Sequence, residues 1–179
     1  KVATLALGYQ GGPGALIRMH ALENGLTEEE LPDIVKRWRA ANPRIRDLWY
    51  KIEQAAVAVM QTAQPQGINN LIFALEGDLI YGQSFFTVRL PSGRKLYYAR
   101  PFLKDVEDPQ GRVKPALHYY GVNQQSKKWT VDHSYGGKMT ENIVQAIARD
   151  CLAVTLERIA ARGLQVVFHV HDEVIIDAP

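Results

Sequence analysis

The sequence predicts an α+β fold: helices first, antiparallel strands in the middle, then a long helix running into a final hairpin. Three observations carry this. Asn42-Pro43 opens a helical pattern that continues to about Gln64, with Ile45, Leu48, Trp49, Ile52, Ala56 and Val59 on one stripe. Two strand-like runs, Phe85–Leu90 and Lys95–Tyr98, flank the turn residues Pro91-Ser92-Gly93-Arg94. The stretch Val166–Asp177, VVFHVHDEVIID, has two short apolar strands on either side of a polar bend.

The totals suit one domain, or one with a sub-domain. The chain has 179 residues, 46% of them apolar, and a formal net charge of +2. The charge is unevenly spread. Residues 85–138 hold ten Lys/Arg and four acids, a local balance of +6. A segment of that sign suits phosphates, and it equally suits a solvated loop face. The lone cysteine, Cys151, excludes an internal disulfide framework and a cysteine-rich zinc site, and fits a reducing, cytoplasmic setting. No apolar run approaches the roughly 20 residues that span a bilayer, and no signal peptide is present. Lys1 begins in mid-helix pattern without a cap or an initiator Met, as a fragment would.

Taken in order, Lys1–Leu7 is helical, and GYQGGPG (Gly8–Gly14) ends it. Lys1, Leu5 and Tyr9 repeat at i, i+4, i+8 and drift only about 40° per step round the axis. They form one ladder, able to line up a phosphate, a sugar and a base edge, or simply an ordinary helix end with a snorkelling Lys. Ala15–Asn24 is a second short helix, stopped by Gly25. Thr27-Glu28-Glu29-Glu30 is a capping box that opens a helix to about Ala40. Arg37, Arg39, Arg44 and Arg46 crowd the corner before the long helix, as a solvated elbow or as a nucleic-acid contact.

Leu71–Leu75 and Leu79–Tyr81 are further short apolar runs, and the Pro91–Arg94 turn gives the hairpin of Phe85–Leu90 and Lys95–Tyr98 a basic tip. Arg100–Asp132 is poorer in pattern, a basic loop region with one or two strands, with Tyr119, Tyr120 and Trp129 as strand residues. The best helix runs from about Met139 to Arg162, with Gly163 as its stop. Ile143, Ile147, Leu152, Leu156 and Ile159 mark its buried side. Glu141, Gln145 and Arg149 form a polar ladder, either solvent face or part of a cleft shared with the hairpin that follows. At the bend of that hairpin stand His171, Asp172 and Glu173. Adjacent carboxylates on a buried hairpin need a metal or a partner; on a solvated turn they need neither.

Several of these features occur together in one family. KVATLALGYQGG, with Lys1 and Tyr9, resembles the latter part of the fingers motif of DNA polymerase I-type (family A) DNA polymerases. ENIVQAIARD resembles the helix that touches the primer–template minor groove, with Gln145 on the contacting Gln. VHDEV (Val170–Val174) resembles the palm's His-Asp-Glu hairpin tip, and LPSGR (Leu90–Arg94) is a turn familiar from the group. The motifs stand in the family's order and the resemblance, closest to compact bacteriophage members, covers nearly the whole chain.

The resemblance implies a helical fingers sub-domain (approximately 1–64), a hairpin and basic loop region (65–138), and part of an antiparallel-sheet palm carrying the catalytic hairpin (139–179), the domain being truncated at both ends. It implies template-directed DNA synthesis: transfer of a deoxynucleoside monophosphate from dNTP to a primer 3′-hydroxyl, with two Mg²⁺ ions as cofactors. Asp172 is then the metal ligand, with Glu173 beside it in a supporting role. Lys1 neutralises the triphosphate and protonates the leaving pyrophosphate. Leu5 and Tyr9 border the dNTP, and Gln145, Glu141, Arg149 and His171 contact primer–template DNA. The partners are DNA and dNTPs, with no membrane and no processivity factor legible.

The departures are specific. The family's second metal Asp has no counterpart here and is expected N-terminal to Lys1. Leu5 stands where Phe or Tyr is usual, Gln10 where Gly is frequent, and Glu141 where Asn often precedes the Gln. No exonuclease segment is present. Two alternatives follow: a catalytically incomplete fragment that only binds DNA or nucleotide, and a single-subunit RNA polymerase, against which Glu173 argues.

Overall fold

The computed structural model describes residues 2–78, 83–108, 111–123 and 126–178. It is an α+β structure of five helices and eight described strands. Helix α1 (Val2–Leu7) is followed by α2 (Pro13–Arg18). Pro13 opens α2 because its missing N–H is unpaired in a first turn anyway. The second helix therefore starts earlier than Ala15 and stops well before Asn24. His20 sits at φ 61° and residues 19–25 form turns closed by Gly25 at φ 88°.

The Thr27 N–H donates to the Glu30 carboxylate at 2.8 Å, so the capping box forms, but in a turn. Helix α3 itself opens at Leu31 and runs to Ala41. Helix α4 (Pro43–Thr62) has Pro43 in its first turn, as expected. Asn42 does not cap it. Its Nδ2 instead donates to the Trp38 carbonyl at 2.8 Å, satisfying the end of α3. Trp49, Ile52, Ala56 and Val59 are buried, whereas Ile45, in the first turn, is 38% exposed. The parallel rings of Trp38 and Trp49, 6.1 Å apart, join α3 to α4.

Six antiparallel strands form one meander in chain order: β1 (Gln66–Ile68), β2 (Leu71–Asp78), β3 (Gln83–Arg89), β4 (Lys95–Glu107), β5 (Val113–Val122) and β6 (Trp129–His133). The Pro91–Arg94 turn is as expected, with Gly93 at φ 87° and Leu90 N–H bonded to the Arg94 carbonyl at 2.8 Å. The run Leu79–Tyr81 lies outside the described residues. The basic loop region expected for Arg100–Asp132 is mostly sheet, carrying the rest of β4, then β5 and β6. Its strands were hidden by two prolines and many charges. Pro101 sits at a register shift between Ala99 and Phe102. Pro115 precedes His118, the first β5 residue paired to β6, so its missing donor breaks no ladder there.

One sheet face presents Phe73, Phe86, Val88, Tyr98 and Leu117 to Ile52 and Val59 of α4 and to Met139 and Ile143 of α5, forming the main core. A second cluster, including Leu7, Leu16, Leu31 and Val35, holds the N-terminal helices together. Helix α5 (Gly136–Ala160) begins three residues before Met139 and is followed by Gly163 at φ 73°. Strands β7 (Gln165–Val170) and β8 (Glu173–Asp177) pair as a separate two-stranded sheet. No described helix is long and apolar enough to cross a membrane.

The start of α5 depends on two glycines. A Cβ on Gly136 would lie 2.0 Å from the Trp49 carbonyl oxygen, and one on Gly137 would lie 2.2 Å from that of Tyr9. Neither obstacle is a movable side chain. Gly136→Ala and Gly137→Ala should each destabilise the protein by about 3 kcal/mol or more, as overpacking against backbone does. Gly14→Ala, within α2 and 3.9 Å from only a flexible Arg18 tip, should be neutral or stabilising by about 0.5–1 kcal/mol. Thermal denaturation of the three variants distinguishes these outcomes.

Candidate functional site

The segment after α1 is pinned where three elements meet. Trp49 Nε1 donates to the Gly8 carbonyl at 2.9 Å. The Gly137 N–H donates to Gln10 Oε1 at 2.8 Å. That N–H belongs to the unpaired first turn of α5, whose preceding residue, Tyr135, supplies no side-chain cap. Gln10 does so from across the fold. Tyr9, half-buried, is thereby held at the foot of the helix that carries the polar ladder.

Along α5, Gln145 lies about 12 Å beyond Gly137 at 1.5 Å per residue. Its Nε2 donates to Glu141 Oε1 at 3.2 Å, so these two expected contacts are adjacent. Gln145 and Arg149 are exposed and Glu141 is half-buried. Leu5 is 54% exposed, on the face of α1 away from its core. Lys1 lies outside the described residues.

Residue 150 is the polar neighbour that sequence reading missed. Asp150 receives the Ser92 hydroxyl and Arg94 Nε, while Arg94 Nη2 donates to the Ala146 carbonyl at 3.1 Å. The basic tip of the β3–β4 hairpin is therefore spent on α5 rather than presented to a ligand. The Ser92 hydrogen bond, helped by Arg94, outweighs the opposing effect of burial and holds the Asp150 carboxyl below the usual range. Four other mid-chain cations are likewise paired: Lys95 with Glu76, Arg112 with Asp108, Lys114 with Glu53, and Lys138 with Asp132.

Lys138 belongs to a partly buried network. Its Nζ donates to Asp132 Oδ2 at 2.6 Å, and the Tyr119 hydroxyl donates to the same oxygen at 3.3 Å. Burial, reinforced by the Asp132 charge, pushes the Tyr119 hydroxyl up to about 12. Burial opposes ionisation of Asp132, but Lys138 and the His133 N–H outweigh it and keep the carboxyl low. Asn142 Nδ2 reaches the Tyr98 hydroxyl at 3.1 Å and ties the network's aromatic neighbour to α5.

The His-Asp-Glu bend is more open than expected. His171 takes φ 52°, and His171, Asp172 and Glu173 are all exposed. Nor is the hairpin buried among the described residues: Val167, Phe168, Val170 and Ile175 are 43–57% exposed. The physical reason is topological, since β7 and β8 pair only with each other, and the six-stranded sheet ends at β6. Asp172 and Glu173 have the hard oxygen donors that Mg²⁺ takes. Among the described residues, however, no three His, Cys, Asp or Glu side chains come together. The donors suit a dication, but they form one part of a coordination set, and among the described residues no hydrogen bond joins them to Tyr9 or Gln145.

The chain is similar to known sequence over its whole length. It is 49% identical over 180 aligned positions to a protein named DNA polymerase from Bacillus phage SP02. All of this chain is covered, but it spans only 26% of that protein. No family model matches the sequence, and no solved structure matches it.

The Ser92–Arg94–Asp150 grip has a pH signature. A lowered folded-state pKa stabilises the fold above the unfolded value, near 3.9, and that contribution is lost as pH falls through the folded value. Asp150→Asn should cost about 1 kcal/mol near neutral pH, allowing for solvent around the half-exposed Arg94. The gap from the parent chain should close below pH ~4, as read from denaturant midpoints across pH.

Proposed function

We propose that this chain is the fingers and part of the palm of a DNA polymerase I-type polymerase. It works in template-directed transfer of a deoxynucleoside monophosphate from dNTP to a primer 3′-hydroxyl, in a phage-infected bacterial cell. The similarity to a phage DNA polymerase along the entire chain carries this reading. The fixing of Tyr9 against the start of the Gln145 helix supports it. So does the exposed apolar hairpin, because a two-stranded sheet is only marginally stable alone and belongs in a larger body.

In this reading residues 1–64 are fingers, 65–138 the strand region between, and 139–179 the palm helix and hairpin. Lys1 neutralises the triphosphate and offers a proton to the departing pyrophosphate. Leu5 and Tyr9 border the incoming nucleotide. Gln145, steadied by Glu141, donates to minor-groove acceptors that correct pairs present alike, with Arg149 and His171 toward the DNA backbone. Asp172 holds Mg²⁺ in the complete polymerase, with Glu173 beside it. The two Mg²⁺ ions of such a site stabilise the attacking and leaving oxygens.

Primer extension by the full-length protein tests the assignment. Asp172→Ala should lower kcat at least about 10³-fold, since several kcal/mol of charge stabilisation are lost. Gln145→Ala should weaken primer–template binding about tenfold, the worth of one good groove contact. Lys1→Ala should raise KM for dNTP while DNA affinity is kept. Full activity in Asp172→Ala would overturn the catalytic assignment. DNA binding without extension by the full-length parent would favour a binding-only role.

A further inference from the structure

Five of the ten mid-chain cations are consumed by ion pairs. The other five, Arg89, Arg100, Lys104, Lys127 and Lys128, have no carboxylate partner among the described residues. One of them, Arg100, lies over a ring of an aromatic stripe, and two more, Lys127 and Lys128, directly precede the Trp129 that ends it. On β6, Trp129, Val131 and His133 alternate onto the sheet face that Lys138 and Asp132 do not occupy. Trp129 is 58% exposed, and Tyr135, in step just beyond the strand, 41%. Their register partners on β5 are Val122, Tyr120 and His118. The rings follow one another closely: Tyr120 to Phe102 at 6.4 Å, Phe102 to His118 at 5.4 Å, His118 to His133 at 5.7 Å, His133 to Tyr135 at 6.4 Å. Arg100 lies 5.9 Å over the Tyr120 ring, and Lys127 and Lys128 stand at the Trp129 end.

At its other end the stripe opens into a cleft of about 560 Å³, lined by Arg18, Arg39, Ser134 and Tyr135 and by the ion pairs Arg112–Asp108 and Lys114–Glu53, whose carboxylates are thereby offset. Two of the residues lining this cleft carry a buried polar atom without a partner among the described residues: Ser134 Oγ, on a residue only 2% exposed, and Arg39 Nε. Arg39 Nη2 is already engaged by the Gly11 carbonyl at 3.1 Å, which fixes the guanidinium with Nε unused. Leaving such groups unpaired costs about 1–3 kcal/mol each. A phosphate oxygen satisfies both a hydroxyl and a guanidinium N–H. Arg18 has no carboxylate partner among the described residues and adds a cation at the rim.

We propose that this stripe and cleft form a track for single-stranded DNA, with bases stacking on Trp129, Tyr120, His133 and Tyr135 and phosphates meeting Lys127, Lys128, Arg100 and the Arg39–Ser134 cleft. Exposed rings interleaved with unpaired cations are the combination that holds a strand whatever its sequence. The choice of DNA over RNA rests on the polymerase reading above. β6 is an edge strand, so a second copy of the chain is the competing occupant.

The test is fluorescence anisotropy of labelled dT₂₀ with the full-length protein carrying this chain, beside a blunt duplex of equal length. Tyr135→Ser removes a ring while leaving a good helix N-cap, and Tyr120→Leu keeps an apolar side chain. Each should weaken dT₂₀ binding about 5–150-fold, from 1–3 kcal/mol per stacked base, with blunt-duplex affinity unchanged. The fully exposed double change Lys127→Ala/Lys128→Ala should reduce the salt slope for dT₂₀ by about 1.4. Lys51→Ala, exposed on α4 and outside both stripe and cleft, is the control. Unaltered dT₂₀ affinity and slope overturn the track, as do equal losses on the blunt duplex. A dimer in sedimentation that the same changes dissolve, with dT₂₀ binding intact, also overturns it. Extension activity is a separate readout: its absence in the parent protein would sink the polymerase reading and leave the dT₂₀ result standing.

Discussion

Three backbones converge on Gly136 and Gly137, and much of the architecture depends on their having no side chains there. The Trp49 carbonyl of α4 and the Tyr9 carbonyl after α1 approach α5 so closely that any Cβ would displace main chain. The same junction supplies the N–H that Gln10 caps and the carbonyl that Trp49 holds. Since α4 and α5 together close the main core over the sheet, this contact fixes the N-terminal helices relative to it. It also sets Tyr9 at the base of the polar ladder. A local steric requirement thus becomes the rule that positions residues far apart in the chain.

Charge is distributed by a similar logic. The ten mid-chain cations are alike in sequence, but five of them are neutralised by ion pairs, several of which bind strands to helices or to one another. Asp150 is the clearest case: it turns a basic hairpin tip into an internal clasp. The cations left without carboxylates are then the informative ones: Arg100 lies over the Tyr120 ring on the face of β4–β6 that carries the aromatic stripe, and Lys127 and Lys128 precede Trp129 at its end. Exposure alone would not single out that face. The coincidence of rings, unpaired cations and buried unsatisfied donors does.

The hairpin at the end of the chain behaves oppositely. Its strands are as apolar as core strands, yet they pair only with each other and rest on α5 through β7. Asp172 and Glu173 sit at its tip in solvent, with no described cation beside them. Carboxylates placed so carry no intrinsic penalty and remain available as ligands.

By itself the sequence determined the α+β class, the long α4 with Pro43 in its first turn, the Pro91–Arg94 turn, the Gly163 stop and the outline of the last hairpin. Each is written in short-range chemistry: helical period, proline and glycine geometry, strand-forming side chains. Tertiary structure alone decided the rest. It made strands of Arg100–Asp132, because pairing across the sheet outweighs charges that face solvent. It turned Asn42 back onto Trp38, ended α2 at Arg18, and drew α5's start to Gly136 by a cap from Gln10. It chose which cations are spent and which are free, because ion pairing depends on neighbours in space, and those neighbours lie as many as 61 positions apart in the chain.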